Sequence, residues 1–258
     1  MTPRAAWFTS LLVALAGCAG SEPAAPPRPF RFAVLPAPAL GDPAALDRLY
    51  LALDRLSAEG ERLDLVLVPG PLVEGDDPLL IEELAGVVGS LPAPVVVAPG
   101  PADAPREAAL LAALERAFQG QTKTRRPRRG WQALPVGLDG AVSAPPPEER
   151  AAGGEGEEEE PAPPRRILVS PAGIGDAAGA SDPTTALRVE VGDAAALEVG
   201  PQGPRLALPP LRRPPHLLGL ATVDPQGTLS LELLALEGQA PPPPAPLSLS
   251  VPPGAGAR

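Results

Sequence analysis

The stretch Leu63-Asp64-Leu65-Val66-Leu67-Val68, followed by Pro69-Gly70-Pro71, decides the fold. A short apolar run closed by a Pro-Gly-Pro break reads as a strand buried on both faces, as in a parallel sheet. The pattern repeats on either side. Downstream, Asp77-Pro78 is a helix start, with Asp at the N-cap and Pro at the first helical position. Its apolar face is Leu80, Ile81, Leu84, Val87 and Val88, and a strand follows over Pro94 to Ala98. A third helix is expected over residues 105–118 through Leu110, Leu111, Leu114 and Phe118. Upstream, the strand Phe30 to Leu35 precedes a helix opened by Asp42-Pro43, whose face is Leu46, Leu49, Tyr50, Leu53 and Leu56. Strand and helix alternate three times, which predicts an α/β fold with a doubly wound sheet.

Composition limits what the rest of the chain does. Of 258 residues 44% are hydrophobic but only 3% aromatic, so Leu, Val and Ala must build the core. Forty prolines and 27 glycines exceed what a chain folded throughout accommodates, so long segments are expected to be disordered. A formal net charge of −10 argues against nucleic acid as a partner, because phosphate backbones are bound by clustered cations. The local exception is the basic run Lys123, Arg125, Arg126, Arg128 and Arg129. With one cysteine and one histidine, neither an internal disulfide nor a cysteine-based zinc cluster can form.

The single cysteine gains meaning from its position. Arg4, the apolar run Ala5 to Gly17 and then Cys18 have the layout of a secretory signal, too short to remain as a spanning helix. Leu15-Ala16-Gly17-Cys18 resembles the lipobox of bacterial lipoproteins, in which the cysteine is acylated and becomes the mature N-terminus. Residues 1–17 are then a signal peptide and 18–29 a lipidated, Pro-rich tether, extended and stiff. Stable anchoring takes more than one acyl chain, which such cysteines carry. Ala19 in place of Asp implies, by the same resemblance, a bacterial envelope location at the outer membrane, facing the periplasm.

Beyond residue 120 the chain turns β-rich. Trp131 to Val142 is expected to hold a short strand pair. Residues 143–165, with Glu155 and Glu157 to Glu160 among prolines and glycines, read as a disordered acidic insertion. Strands are expected from Arg166 to Val169, Ala186 to Val191, Ala195 to Val199, His216 to Val223 and Thr228 to Leu236. Asp224-Pro225-Gln226-Gly227 makes the last two a hairpin. Residues 238–258 read as a disordered Pro-rich tail, leaving 30–237 as the domain.

Three strand ends carry a resemblance. F-A-V-L-P-A-P-A-L (Phe32 to Leu40), D-L-V-L-V-P-G-P-L-V (Asp64 to Val73) and P-V-V-V-A-P-G-P-A-D (Pro94 to Asp103) resemble, in order and spacing, the metal-binding blocks of the calcineurin-like metallophosphoesterase family. A weaker fourth block is V-G-D-A-A, Val191 to Ala195. The resemblance covers residues 30–120 well and 166–237 poorly. It implies two metal ions held by Asp, His and Asn at the strand ends, generating a hydroxide nucleophile. Here Ala37 and Ala39 stand for the first Asp and its His, Pro71 for the bridging Asp, Pro101 for the Asn and Ala102 for the following His. Asp193 and Ala195 stand where the fourth block has histidines; Gly70 and Gly100 are retained, and of the metal-site positions matched in the third block only Asp103 keeps its type. Alanine offers no lone pair, and proline neither a side-chain ligand nor a backbone donor. His216, the chain's one histidine, lies elsewhere, in R-R-P-P-H-L-L.

The resemblance therefore implies a scaffold without catalytic residues, metal or cofactor: a pseudo-enzyme attached to the membrane by its lipid and acting as a binding or assembly module for an envelope protein. Two alternatives stay open. An atypical metal-dependent phosphoesterase would need oxygens from Asp42, Glu74, Asp76, Asp77 and Asp103, which all follow strands where open α/β sheets bind ligands. Helix capping accounts for Asp42, Asp77 and Asp103 without a metal. The other alternative is a structural envelope lipoprotein with no ligand.

Overall fold

The computed structural model describes residues 28–41, 43–59, 62–75, 77–118, 131–136, 141–142, 165–171, 185–200 and 203–249. The signal peptide, Cys18, Asp42, Asp76, the basic run, residues 143–164 and residues 250–258 lie outside them.

The first half follows the alternation read from sequence: β1 (Phe30–Val34), α1 (Pro43–Ala58), β2 (Leu65–Pro69), α2 (Pro78–Gly89), β3 (Val95–Ala98), a 3-10 turn (Pro101–Arg106) and α3 (Glu107–Ala117). The strands β1, β2 and β3 are parallel neighbours. Asp77 caps α2 as expected, its carboxylate accepting from the Leu79 N–H at 2.9 Å. The third helix differs from its expected 105–118 span. Pro101 and Pro105 remove backbone donors, so the chain enters through the 3-10 turn and turns α-helical only at Glu107.

The first sheet has the order β11-β10-β9-β1-β2-β3. Its parallel half is extended by β9 (Leu217–Val223), β10 (Thr228–Ala235) and β11 (Leu247–Ser248), each antiparallel to its neighbour. The β9–β10 hairpin turns at Asp224-Pro225-Gln226-Gly227, whose Asp224 side chain accepts from the Thr228 N–H at 2.7 Å. The second sheet has the order β4-β5-β6-β8-β7, from β4 (Trp131–Pro135), β5 (Arg165–Ser170), β6 (Thr185–Val191), β7 (Ala196–Gly200) and β8 (Gly203–Leu208). All its pairings are parallel except β7 with β8.

Packing gives three layers, and here the doubly wound expectation is corrected. In β2, Val66 and Val68 face a core shared with Leu49, Leu56, Ile81, Leu84, Leu110 and Leu114 of the helices. The alternate residues Leu65 and Leu67 face Ile167, Val169, Leu187, Val189 and Leu206 of the second sheet. Among the described residues, then, all three helices cover one face of the first sheet and the second sheet covers the other. A continuous apolar run reports burial on both sides without saying which element does the burying. The sheets approach closely at Gly219, where an added Cβ would lie 2.7 Å from Leu208 Cδ1. Trp131, on the edge strand β4, is buried and stacks on Phe30 at 5.4 Å, with the Arg165 guanidinium 5.3 Å from its ring centroid.

Four further readings are corrected. The strand β8 lies outside the expected set, because Pro204 and Pro209-Pro210 bracket its apolar residues. The tail expected from residue 238 is ordered through Leu249: β11 pairs with β10, and Leu249 is buried. Arg165 belongs to β5 and not to the acidic insertion. On the helices, Tyr50 and Leu111 fit the apolar spacing but are exposed, while Ala45, Ala52 and Ala113 fill the core instead.

Candidate functional site: the closed carboxyl ends of the parallel strands

Open α/β sheets bind ligands beyond the carboxyl ends of their strands. In this chain the loops that leave the strands there are tied to one another by backbone hydrogen bonds. The chain leaving β1 stays zipped to the chain leaving β2: the N–H groups of Leu35, Ala37, Ala39 and Leu40 donate to the carbonyls of Leu67, Pro69, Pro71 and Leu72 at 2.7–3.1 Å. The Glu74 N–H returns to the Leu40 carbonyl at 2.6 Å. Ala37, Ala39, Leu40, Leu72 and Val73 are consequently buried. Ala37 and Ala39 hold positive φ of 40° and 46°, a left-handed conformation that costs alanine roughly 1 kcal/mol or more at each position.

Asp103 ties the next pair of loops. Its side chain is fully buried, and its two oxygens accept from the N–H groups of Leu72, Val73 and Gly100 at 2.7–3.0 Å. Asp103 is not the cap of a helix over 105–118 that the sequence suggests: it sits at the third position of the 3-10 turn and accepts back from the N–H of Gly100, the turn's N-cap. The contacts to Leu72 and Val73 reach across thirty residues of chain to the loop after β2. Gly70 and Gly100 permit this approach. A Cβ on Gly70 would lie 2.5 Å from the Gly100 nitrogen and 2.8 Å from an Asp103 oxygen. Arg106 completes the knot, its Nη1 donating to the carbonyls of Val73 and Ala102 at 3.0 Å.

A strap from the second half crosses over these loops, and nothing in the local sequence announces it. Between β8 and β9, the Leu211 N–H donates to the Pro36 carbonyl at 2.8 Å, and the Leu211 side chain is buried in the helix-side core. Arg212 pairs with Glu74 of the loop after β2. Arg213 reaches the Asp193 side chain at 3.1 Å and its carbonyl at 2.9 Å, on the turn after β6. His216 ends the strap with φ of 52°, its Nδ1 2.7 Å from the Leu211 carbonyl. The histidine thus fastens a bend.

The positions singled out from sequence now have places. Ala37, Ala39, Pro71 and Asp103 lie together where the first three strands end, with Pro101 and Ala102 on the outer, exposed side of the 3-10 turn. Asp193 is exposed, held by Arg213, and Glu74 is occupied by Arg212. Asp77 is an N-cap. Among the described residues no three His, Cys, Asp or Glu side chains come together as a metal-binding group would require. The arrangement does not fit a two-metal centre. Ala37, Ala39, Pro71, Pro101 and Ala102 carry no ligand atom on their side chains, and the Asp103 carboxylate beside them already accepts from three backbone amides.

No protein-family model matches the chain, and no curated protein matches it. Solved structures do. A crystal structure of TT1561 of Thermus thermophilus superposes with a TM-score of 0.51 at 14% identity, covering 81% of this chain and 100% of the other. A second superposes with a TM-score of 0.53 at 11% identity, with the same coverage of 81% and 100%. At such low identity the likeness extends to the α/β fold alone.

Proposed function

We propose that the chain is a membrane-anchored lipoprotein whose metallophosphoesterase-like domain is catalytically inactive and serves as a binding or assembly module of the cell envelope. One observation carries the inactive reading. At the ends of β1, β2 and β3 the positions matched to metal ligands hold Ala37, Ala39, Pro71, Pro101 and Ala102, and the retained Asp103 spends its oxygens on backbone amides.

The descent from a metal-binding scaffold has support of its own. Asp, Asn and His are the non-glycine residues that best tolerate positive φ. Ala37 and Ala39 keep that backbone conformation at the positions matched to an Asp and a His. The anchor reading rests on Leu15-Ala16-Gly17-Cys18.

Two assays on the full-length chain test the proposal. Expressed in a bacterium, the chain should partition with membranes, and Cys18→Ala should release it to the soluble fraction. The purified chain should hydrolyse a generic phosphodiester no faster than buffer, with or without Mn²⁺. Soluble wild-type protein would overturn the anchor. Turnover dependent on Mn²⁺ would overturn the inactive reading.

A further inference from the structure

The outer face of the second sheet carries hydrogen-bond donors that, among the described residues, the fold leaves unused. Strand β6 bulges against β5: Arg166 pairs with Thr185 and Ile167 with Leu187, so Ala186 is the extra residue. Ile167 and Leu187 point into the core between the sheets. Arg166 and Thr185 are therefore on the opposite, outer face, and so is Arg188, which pairs with Leu168 on one side and Arg205 on the other. The bulge is what brings Thr185 to the same face as Arg188, about 7 Å along the strand.

Arg188 and Arg205 are thus like charges opposite each other on adjacent strands, an unfavourable pairing unless countered. Arg205 is countered by Glu190 and by Glu198, the latter at 3.1 Å. Arg188 has no such counterpart among the described residues. Its Nε and Nη2 are buried with no acceptor, and the Thr185 hydroxyl is buried without a partner on the same face. Burying these donors without acceptors is costly. Nε and Nη2 form one edge of the guanidinium, the edge that grips two oxygens of an oxyanion side by side. The Thr185 hydroxyl supplies a donor for a third oxygen, which a phosphate has and a carboxylate lacks.

We propose that Arg188 and Thr185 form a phosphate-binding site on the outer face of the second sheet, away from the closed strand ends. The site does not depend on the function proposed above. It is tested by thermal unfolding of the full-length chain against inorganic phosphate at constant ionic strength. A ligand that binds only the folded chain raises the unfolding midpoint saturably. The wild type should show that rise, Arg188→Gln should abolish it, and Thr185→Val should shift its half-saturation to roughly tenfold higher phosphate. Without phosphate, Arg188→Met should unfold at or above the wild-type midpoint, because it removes two buried donors that have no acceptor. No saturable rise in the wild type, or an unchanged response in Arg188→Gln, overturns the site. A rise seen only after Glu155 and Glu157 to Glu160 are replaced by glutamine also overturns it, assigning Arg188 to the chain's own acidic segment.

Discussion

Asp103 ties two loops together, its carboxylate accepting from the N–H groups of Leu72, Val73 and Gly100. Its N-terminal position in a helical turn is visible locally, since it stands just after a strand and near Pro105. Its partners Leu72 and Val73 are not, because contacts across thirty residues leave no periodic trace. Replacing it with alanine strands three buried N–H groups, at roughly 1–3 kcal/mol each when unsatisfied. Asp103→Ala should therefore lower stability by at least about 3 kcal/mol in urea unfolding. Asp103→Asn keeps one acceptor and turns an NH₂ toward a donor, so it should lose less, about 2 kcal/mol. Wild-type stability in both would mean the carboxylate is not the clamp described. Tyr50 offers a second test, since it is the chain's one tyrosine. Its hydroxyl bonds the Glu83 carboxylate, which with some desolvation and the Glu83 charge holds its pKa above the ordinary 10.0. The folded value exceeds the unfolded one, so the contribution to stability is present below about pH 10 and lost as pH rises through the folded pKa. Absorbance titration should show phenolate forming above about pH 10 in the wild type and at lower pH in Glu83→Gln.

At the scale of elements, the legible parts are those whose signals are local. The Asp-Pro starts and the three- and four-residue spacing of leucines place α1 and α2, and the apolar runs place β1, β2 and β3. What failed did so for physical reasons. Prolines around β8 hide a strand that needs few of their missing donors, and prolines in 101–106 tighten a helix start that periodicity alone would draw as α. Glycines carry the approaches between elements. At Gly219 an added methyl meets the flexible ends of Leu208 and Leu231, which can yield. At Gly70 it meets the backbone of Gly100, which cannot without breaking the Asp103 contacts. Gly219→Ala should cost about 1–3 kcal/mol, and Gly70→Ala clearly more, by urea unfolding of both variants. Equal losses would contradict this account of the loop packing.

Over the whole molecule, composition misleads at the C-terminus. Four successive prolines and a tail poor in large side chains suggest disorder, yet residues 238–249 return to the first sheet, and Leu249 is buried in the core between the sheets. A chain ended after Glu237 should lose about 2 kcal/mol, largely the burial of that leucine, and unchanged unfolding would place the tail outside the folded unit. The strap from Leu211 to His216 has a similar lesson, since it joins both sheets' loops through contacts that no motif encodes. We propose that these parts together close the place where a metal-dependent enzyme would do its chemistry. The most direct test is a Mn²⁺ titration of the purified chain, followed by the electron paramagnetic resonance signal of the free ion. The account predicts a signal that rises in step with added Mn²⁺, in wild type and Asp103→Asn alike. One or two equivalents of silent, bound Mn²⁺, lost in Asp103→Asn, would contradict it.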